Sequence, residues 1–213
     1  MLFKDFKKNI LKFKKAPLGG VNAQLKLAPA YRKQFDLKEI AVLNPTQAAV
    51  LILFFPDKNN ETSFILIKRP DYKGHHANQI SFPGGKKEDF DTNLMNTAIR
   101  ETHEEIGIKV SKQMIFKQLT DVYIPPSNFL VQAYLAIADK QLSFIMNHEV
   151  KEILTVSVSE FLLPENIKIK SVFTSKDKKV KTPCYVFNEE IIWGATAMML
   201  SEVNEMFVRV FSK

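Results

Sequence analysis

Residues 47–55 read QAAVLILFF, a run that is apolar after its first residue and contains neither glycine nor proline. A stretch of that length and composition is a buried strand, and a buried strand needs partners beside it and cover above it. Pro56-Asp57-Lys58-Asn59-Asn60 is turn chemistry, and residues 63–69 form a returning strand. Further strands are expected over 115–124 and 129–138, on either side of Pro125-Pro126-Ser127-Asn128, and over 153–158. Residues 167–174 and 180–187 pair across a turn at 175–179. Helical patterning covers 92–106 and 194–211, with one brief helical turn at 159–163. Asp91 is placed to cap the first of these helices and Gly107 to end it. Residues 70–85 are a loop ending in Phe82-Pro83-Gly84-Gly85. Several strands with few helices predict an α/β fold, a mixed sheet covered by helices on both sides.

A chain of 213 residues suits one domain, and no apolar run reaches the roughly 18 residues of a membrane span. The first residues lack an uninterrupted apolar core and a small-residue cleavage site, so no signal peptide is expected. Cys184 is the only cysteine, which precludes an intrachain disulfide, suits a reducing cytoplasm, and reads as a buried structural thiol. The net charge of +7 is concentrated: Lys4, Lys7, Lys8, Lys12, Lys14 and Lys15 face only Asp5 within the first fifteen residues. Phe3, Phe6, Ile10 and Leu11 make a rough helical stripe among those lysines, with Phe13 outside it. The arm is therefore expected to pack on its own domain or on a second copy in a homodimer, rather than on nucleic acid or a membrane. Pro17, Gly19, Gly20 and Pro29 interrupt the next stretch, so residues 1–45 are a basic helical arm and irregular lead-in, and 46–213 the main domain.

The chemistry is concentrated in Arg100-Glu101-Thr102-His103-Glu104-Glu105-Ile106-Gly107. At the helical period, Glu101, Glu104 and Glu105 share one arc beside the apolar arc of Leu94, Ala98, Thr102 and Ile106. Like charges at those spacings repel by a few tenths of a kcal/mol per pair, a penalty that a divalent cation would reverse. Three glutamates on a helix also fit a plain solvated face. The Pro83-Gly84-Gly85 turn, whose backbone can approach a ligand closely, favours the site instead. Oxygen donors without cysteine suit Mg²⁺ or Mn²⁺ better than zinc.

From Gly85 to Ile108 the chain resembles the Nudix signature: a glycine, an acidic residue six positions on at Asp91, then Arg100-Glu101, Glu104-Glu105, Gly107 and Ile108. The resemblance implies an α/β/α sandwich with a mixed central sheet, and metal-dependent pyrophosphohydrolase chemistry. It also implies that Glu101 and Glu105 are the main metal ligands, with Glu104 a further ligand or base partner and Arg100 in the catalytic set. Upstream, Leu66-Ile67-Lys68-Arg69 and the stretch from His76 to Gly85 resemble the extra motif of the coenzyme A pyrophosphatase branch, which also carries the aspartate and the longer spacing. Asn78 stands where that motif has glycine, a substitution that fits a left-handed position. Trp193-Gly194-Ala195-Thr196-Ala197 resembles the branch's C-terminal end, although Trp193 reads more readily as core than as a platform for adenine.

The implied reaction is cleavage of the diphosphate of coenzyme A and its derivatives to 3′,5′-ADP and 4′-phosphopantetheine. Arg69, Lys73, His76, Gln79, Gly84 and Gly85 are the expected substrate contacts. Arg69, Lys73 and the His75-His76 pair also read as ordinary loop residues, and Glu149 and Glu152 are candidates for a later carboxylate. Rival readings are another nucleoside diphosphate derivative, such as ADP-ribose or NADH, and a Nudix module that senses nucleotides without cleaving them. The expected partner is a small molecule, not a nucleic acid.

Overall fold

The computed structural model describes residues 1–71, 78–174 and 178–211. The expected central strand is β1, Thr46–Pro56, inside an eight-stranded sheet. Its side chains alternate between two cores, Ile52 and Phe54 on one face, Leu51, Leu53 and Phe55 on the other. Burial on both faces is why the run shows no polar alternation. Beside it β2 (Thr62–Lys68) returns antiparallel with Phe64 opposite Phe54, and carries β3 (Ile80–Ser81). β4 (Gly84–Lys86) is antiparallel to β1. On the other side β7 (Phe129–Ile137) runs parallel to β1 and pairs with β5 (Ile115–Gln118) and β6 (Val122–Ile124). β8 (Glu152–Ser157) completes the sheet on β2. A second, three-stranded sheet holds β9 (Ile167–Phe173), β10 (Lys179–Phe187) and β11 (Glu190–Ile192).

Helices cover both faces of the large sheet. α1 (Phe3–Lys8), α2 (Ile10–Lys15), α3 (Gly20–Leu25) and α7 (Gly194–Phe211) lie on the Ile52 side. α5 (Leu94–Ile106) lies on the Leu51 side. Two short helices, α4 (Leu37–Val42) and α6 (Val158–Phe161), fill connections. The mixed sheet between helical layers is the arrangement the sequence implies.

Three expectations are corrected. The run 115–124 is two strands, because Thr120 leaves the ladder to donate its N–H and hydroxyl to the buried Glu202 carboxylate at 3.2 and 2.7 Å. The loop 70–85 contains β3 and β4, whose brevity left no periodic signal. The stripe on the arm is also misplaced: the helix breaks at Asn9 (φ −96°, ψ 3°), which rotates its second half. Phe13 is therefore buried, while Leu11 is 68% exposed. Phe6 stacks on Phe207 at 5.7 Å and Phe13 meets the same ring edge-on at 4.8 Å, so the arm packs on its own chain with its lysines exposed. Cys184 is buried with its thiol 3.3 Å from the Lys168 carbonyl, a structural position. Among the described residues, no helix is long and apolar enough to cross a membrane.

Candidate active site

α5 starts later than expected because Asp91 is not its cap. Asn93 caps it, its side chain accepting the Asn96 N–H at 3.0 Å, and Gly107 closes it at φ 75°. Asp91 is buried and receives Arg100 Nε at 3.1 Å and Nη2 at 2.8 Å, with further bonds from the Thr97 hydroxyl and the Glu88 N–H. A charge-assisted bidentate pair outcompetes a neutral cap. Those Arg100 bonds, ahead of the others, hold the Asp91 carboxyl down at about 2. Arg100 gives its remaining N–H groups to Glu101 Oε1 and Glu104 Oε2, both at 2.8 Å, and to the Lys86 carbonyl at 3.1 Å. With every donor occupied, Arg100 fixes the acidic helix edge, and it lines the cavity described below.

The three glutamates occupy graded depths. Glu105 is 1% exposed, and its Oε2 accepts the Gly84 N–H at 2.8 Å while Arg69 Nη2 stands 3.5 Å from Oε1. Burial pushes this carboxyl up to about 8, reinforced by Glu101 and Glu149 and opposed by Arg69 and the Gly84 N–H. Glu101 is half-buried and shifted upward, first by burial, against the pull of Arg100. Glu104 is exposed at the rim, 52% by side chain. The two glycines serve two approaches. A Cβ on Gly84, at φ +153°, would lie 2.3 Å from the Ala49 carbonyl oxygen, so only glycine lets β4 pair so closely with β1. A Cβ on Gly85 would lie 2.5 Å from the Glu101 carboxyl carbon, in the space that lets that carboxylate sit against the turn.

A cavity of about 850 Å³ opens over this edge. Of the expected contacts, Arg69, Gln79, Gly84, Gly85, Glu101 and Glu104 line it, and Glu105 lies behind the wall they form. Lys73, His75 and His76 lie outside the described residues. Asn78 takes φ +55°, the left-handed conformation its sequence position suggests. Trp193 faces the cavity rather than the core. Arg69 is committed to Glu105 and to the Gly84 carbonyl at 3.3 Å, so its charge bears on the carboxylates as well as on any ligand. Glu149 joins the site because its loop is pinned to the end of α5, Asn147 N–H donating to the Glu105 carbonyl at 3.1 Å. Its field reaches both Glu101 and Glu105. Glu152 opens β8 opposite Lys68 and does not line the cavity. The lead-in also contributes a wall, through Tyr31, Arg32 and Phe35, which no local sequence signal indicated.

The donor chemistry fits a hard divalent cation. Glu101, Glu104, Glu105 and Glu149 supply oxygen alone, and a carboxyl driven up by burial gains most from a cation beside it. Among the described residues no three such side chains already form a coordination group, since Glu101 and Glu104 give oxygens to Arg100.

A NUDIX domain model matches residues 45–176. The mitochondrial coenzyme A diphosphatase NUDT8 of Homo sapiens is 26% identical over 157 residues, 73% of this chain and 66% of that protein, just under two thirds of its length. Its counterpart in Mus musculus is 26% identical over 157 residues, covering 73% of this chain and 75% of that one. Among solved structures, a MutT/nudix family protein from Enterococcus faecalis superposes with a TM-score of 0.54 at 18% identity, over 85% of this chain and 76% of the other, a likeness of fold. With a signature helix built into the wall of a cavity and a domain match across most of the chain, this protein belongs to the Nudix family.

Proposed function

We propose that the protein hydrolyses the diphosphate bond of coenzyme A and its derivatives, giving 3′,5′-ADP and 4′-phosphopantetheine, with Mg²⁺ or Mn²⁺. The observation that carries this reading is the cavity, which joins the acidic edge of α5 to a wall of aromatic and apolar side chains, including Phe35, Phe129 and Trp193. A nucleotide joined through a diphosphate to a long, weakly polar arm needs both chemistries in one space. The resemblance of the 66–85 stretch to the coenzyme A pyrophosphatase motif, and the names of the human and mouse relatives, support the same substrate.

Glu101 and Glu105, with Glu104 beside them, would hold the ion. When bound, the ion supplies Lewis-acid activation and neutralises charge on the diphosphate. The chain's own residues do the rest. Arg100 fixes Glu101 and Glu104 against Asp91 so that the acidic edge is set before substrate arrives. Gly84, Gly85, Gln79 and Arg69, which line the cavity beside that edge, would border the diphosphate. The exposed carboxylates of Glu104 and Glu149, both on the cavity wall, would take the proton from the attacking water. The lone buried cysteine suits a reducing compartment, cytoplasmic in this proposal, whereas the two mammalian relatives are named for the mitochondrion.

The test is incubation with coenzyme A and either ion, with the products resolved by mass. 3′,5′-ADP and 4′-phosphopantetheine are expected. A higher kcat/KM for ADP-ribose or NADH than for coenzyme A would replace the substrate while keeping the family.

A further inference from the structure

Lys86, which lines the cavity, is exposed to solvent, and the other cationic side chains there differ in one respect. Arg69 faces Glu105, Arg100 faces three carboxylates, and Lys33 pairs with Glu39 at 3.4 Å while lying over the Phe35 ring. Arg32 has no such partner: among the described residues its side chain makes one hydrogen bond, from Nη2 to the Tyr123 carbonyl. It is nevertheless partly buried in the cavity wall. Burial pulls its pKa down, and the groups opposing that pull are two tyrosines rather than an acid. A guanidinium carries five donors and loses solvation when enclosed, so a buried one is ordinarily paired. Here the main chain satisfies one donor and leaves the charge uncompensated beside an open space.

Its position relative to the acidic edge follows from the sheet. Tyr123 on β6 pairs with Leu130 on β7, Leu130 with Gln47 on β1, and the adjoining Ala48 with Lys86 on β4. Three strand spacings of about 4.8 Å put the Arg32 anchor about 14 Å from the turn that cradles Glu101. The same cavity therefore has a cation-binding edge at one end and an unpaired guanidinium at the other, with the aromatic side chains of Tyr31 and Phe35 beside the latter.

We infer that Arg32 is a specificity-determining residue that recognises a second anion on the substrate, a phosphomonoester on the ribose of the nucleotide whose diphosphate lies at the acidic edge. This rests on the reading of the cavity as a nucleoside diphosphate site. Planar guanidinium and phosphate oxygens match in a bidentate pair, and the low-dielectric wall strengthens it. The residue comes from the lead-in preceding β1, so the segment outside the family match contributes a determinant of substrate choice.

The experiment measures binding of 3′,5′-ADP and 5′-AMP by titration calorimetry to the wild-type protein, Arg32→Gln and Arg32→Lys, each checked by thermal melting. The wild type is expected to bind 3′,5′-ADP at least about tenfold more tightly than 5′-AMP. Arg32→Gln should weaken 3′,5′-ADP by about 10–100-fold, the range for one charge-assisted contact, and abolish the preference. Arg32→Lys should keep the charge but lose the bidentate geometry, giving an intermediate preference; this variant carries the test if the glutamine variant does not fold. Absence of a wild-type preference, or an equal loss for both nucleotides in a folded variant, would overturn the inference. Neither nucleotide has to be turned over, so a protein inactive on coenzyme A would sink the proposed function and leave the role of Arg32 to be read separately.

Discussion

Replacing Asp91 with alanine removes the acceptor for two Arg100 donors, the Thr97 hydroxyl and the Glu88 N–H in one step. The Asp91 and Arg100 side chains are only 4% and 17% exposed, so water does not replace what is lost. Breaking a buried pair by deleting one partner costs about 3–5 kcal/mol. Arg100 keeps Glu101 and Glu104, so the lower end applies, about 3 kcal/mol. A helix cap at the same position would be worth about 1 kcal/mol. The two accounts are separable by urea unfolding followed by circular dichroism, and the larger loss corresponds to a fall in Tm of about 6–12 °C. Titration gives a second handle. The Asp91 carboxyl sits at about 2, below its ordinary 3.8, with the Arg100 hydrogen bonds as the largest cause. A folded-state pKa lowered in this way contributes stability in full above about 3.8, lost as pH falls through 2, about 2 kcal/mol in all. The stability gap between wild type and Asp91→Asn should therefore narrow by about that amount between pH 5 and pH 2. A loss under about 1 kcal/mol at pH 7, or a gap indifferent to pH, would refute the anchoring role.

Glu101→Gln and Glu105→Gln should each lower turnover by more than about 100-fold at saturating Mg²⁺ while far-ultraviolet dichroism stays unchanged, and near-normal rates in either would remove that residue from the metal set. Because burial opposes the charge on Glu105, its glutamine variant should lose little in melting temperature. Gly85→Ala should cost activity far more than stability, since the added methyl meets the Glu101 side-chain carboxylate rather than backbone; unchanged kcat/KM would show that this carboxylate need not sit against the turn. Phe6→Ala should destabilise by about 3–5 kcal/mol and Leu11→Ala by less than about 0.5 kcal/mol, and the reverse order in denaturant melts would contradict the break at Asn9.

Features set by local physics are legible in the sequence. Periodicity places the last helix at 194–211, and it is found at Gly194–Phe211. The 47–55 strand lies within one residue of β1 at each end, because a short apolar run closed by turn chemistry suits a strand better than a helix. The acidic edge of α5 is legible because helical spacing alone brings Glu101, Glu104 and Glu105 together. Features decided by distant residues are not. Asp91 looks like a cap until Arg100, one helix face away, is seen to claim it. The gap between β5 and β6 depends on Glu202, which lies 82 positions from Thr120. Tyr31 and Arg32 reach the cavity only through the course of a lead-in that has no periodicity of its own. Glu149 reaches it only because its loop is tied to α5.

The stacking of Phe6 on Phe207 sets a timetable for biosynthesis. These rings are separated by about 200 residues of chain, and long-range closure of this kind is slow compared with forming a local helix. Phe6 also meets Phe54 at 4.9 Å and Phe116 at 6.3 Å, so the pocket around it is assembled in stages, with the Phe207 side the last to be made. At about 5–20 residues per second, the Phe207 side follows Phe6 by about 10–40 s. Phe3, Phe6 and Phe13 lie among six lysines whose charge stays on the outside of the finished fold. The arm thus becomes a cornerstone of the core only when the last helix closes over it.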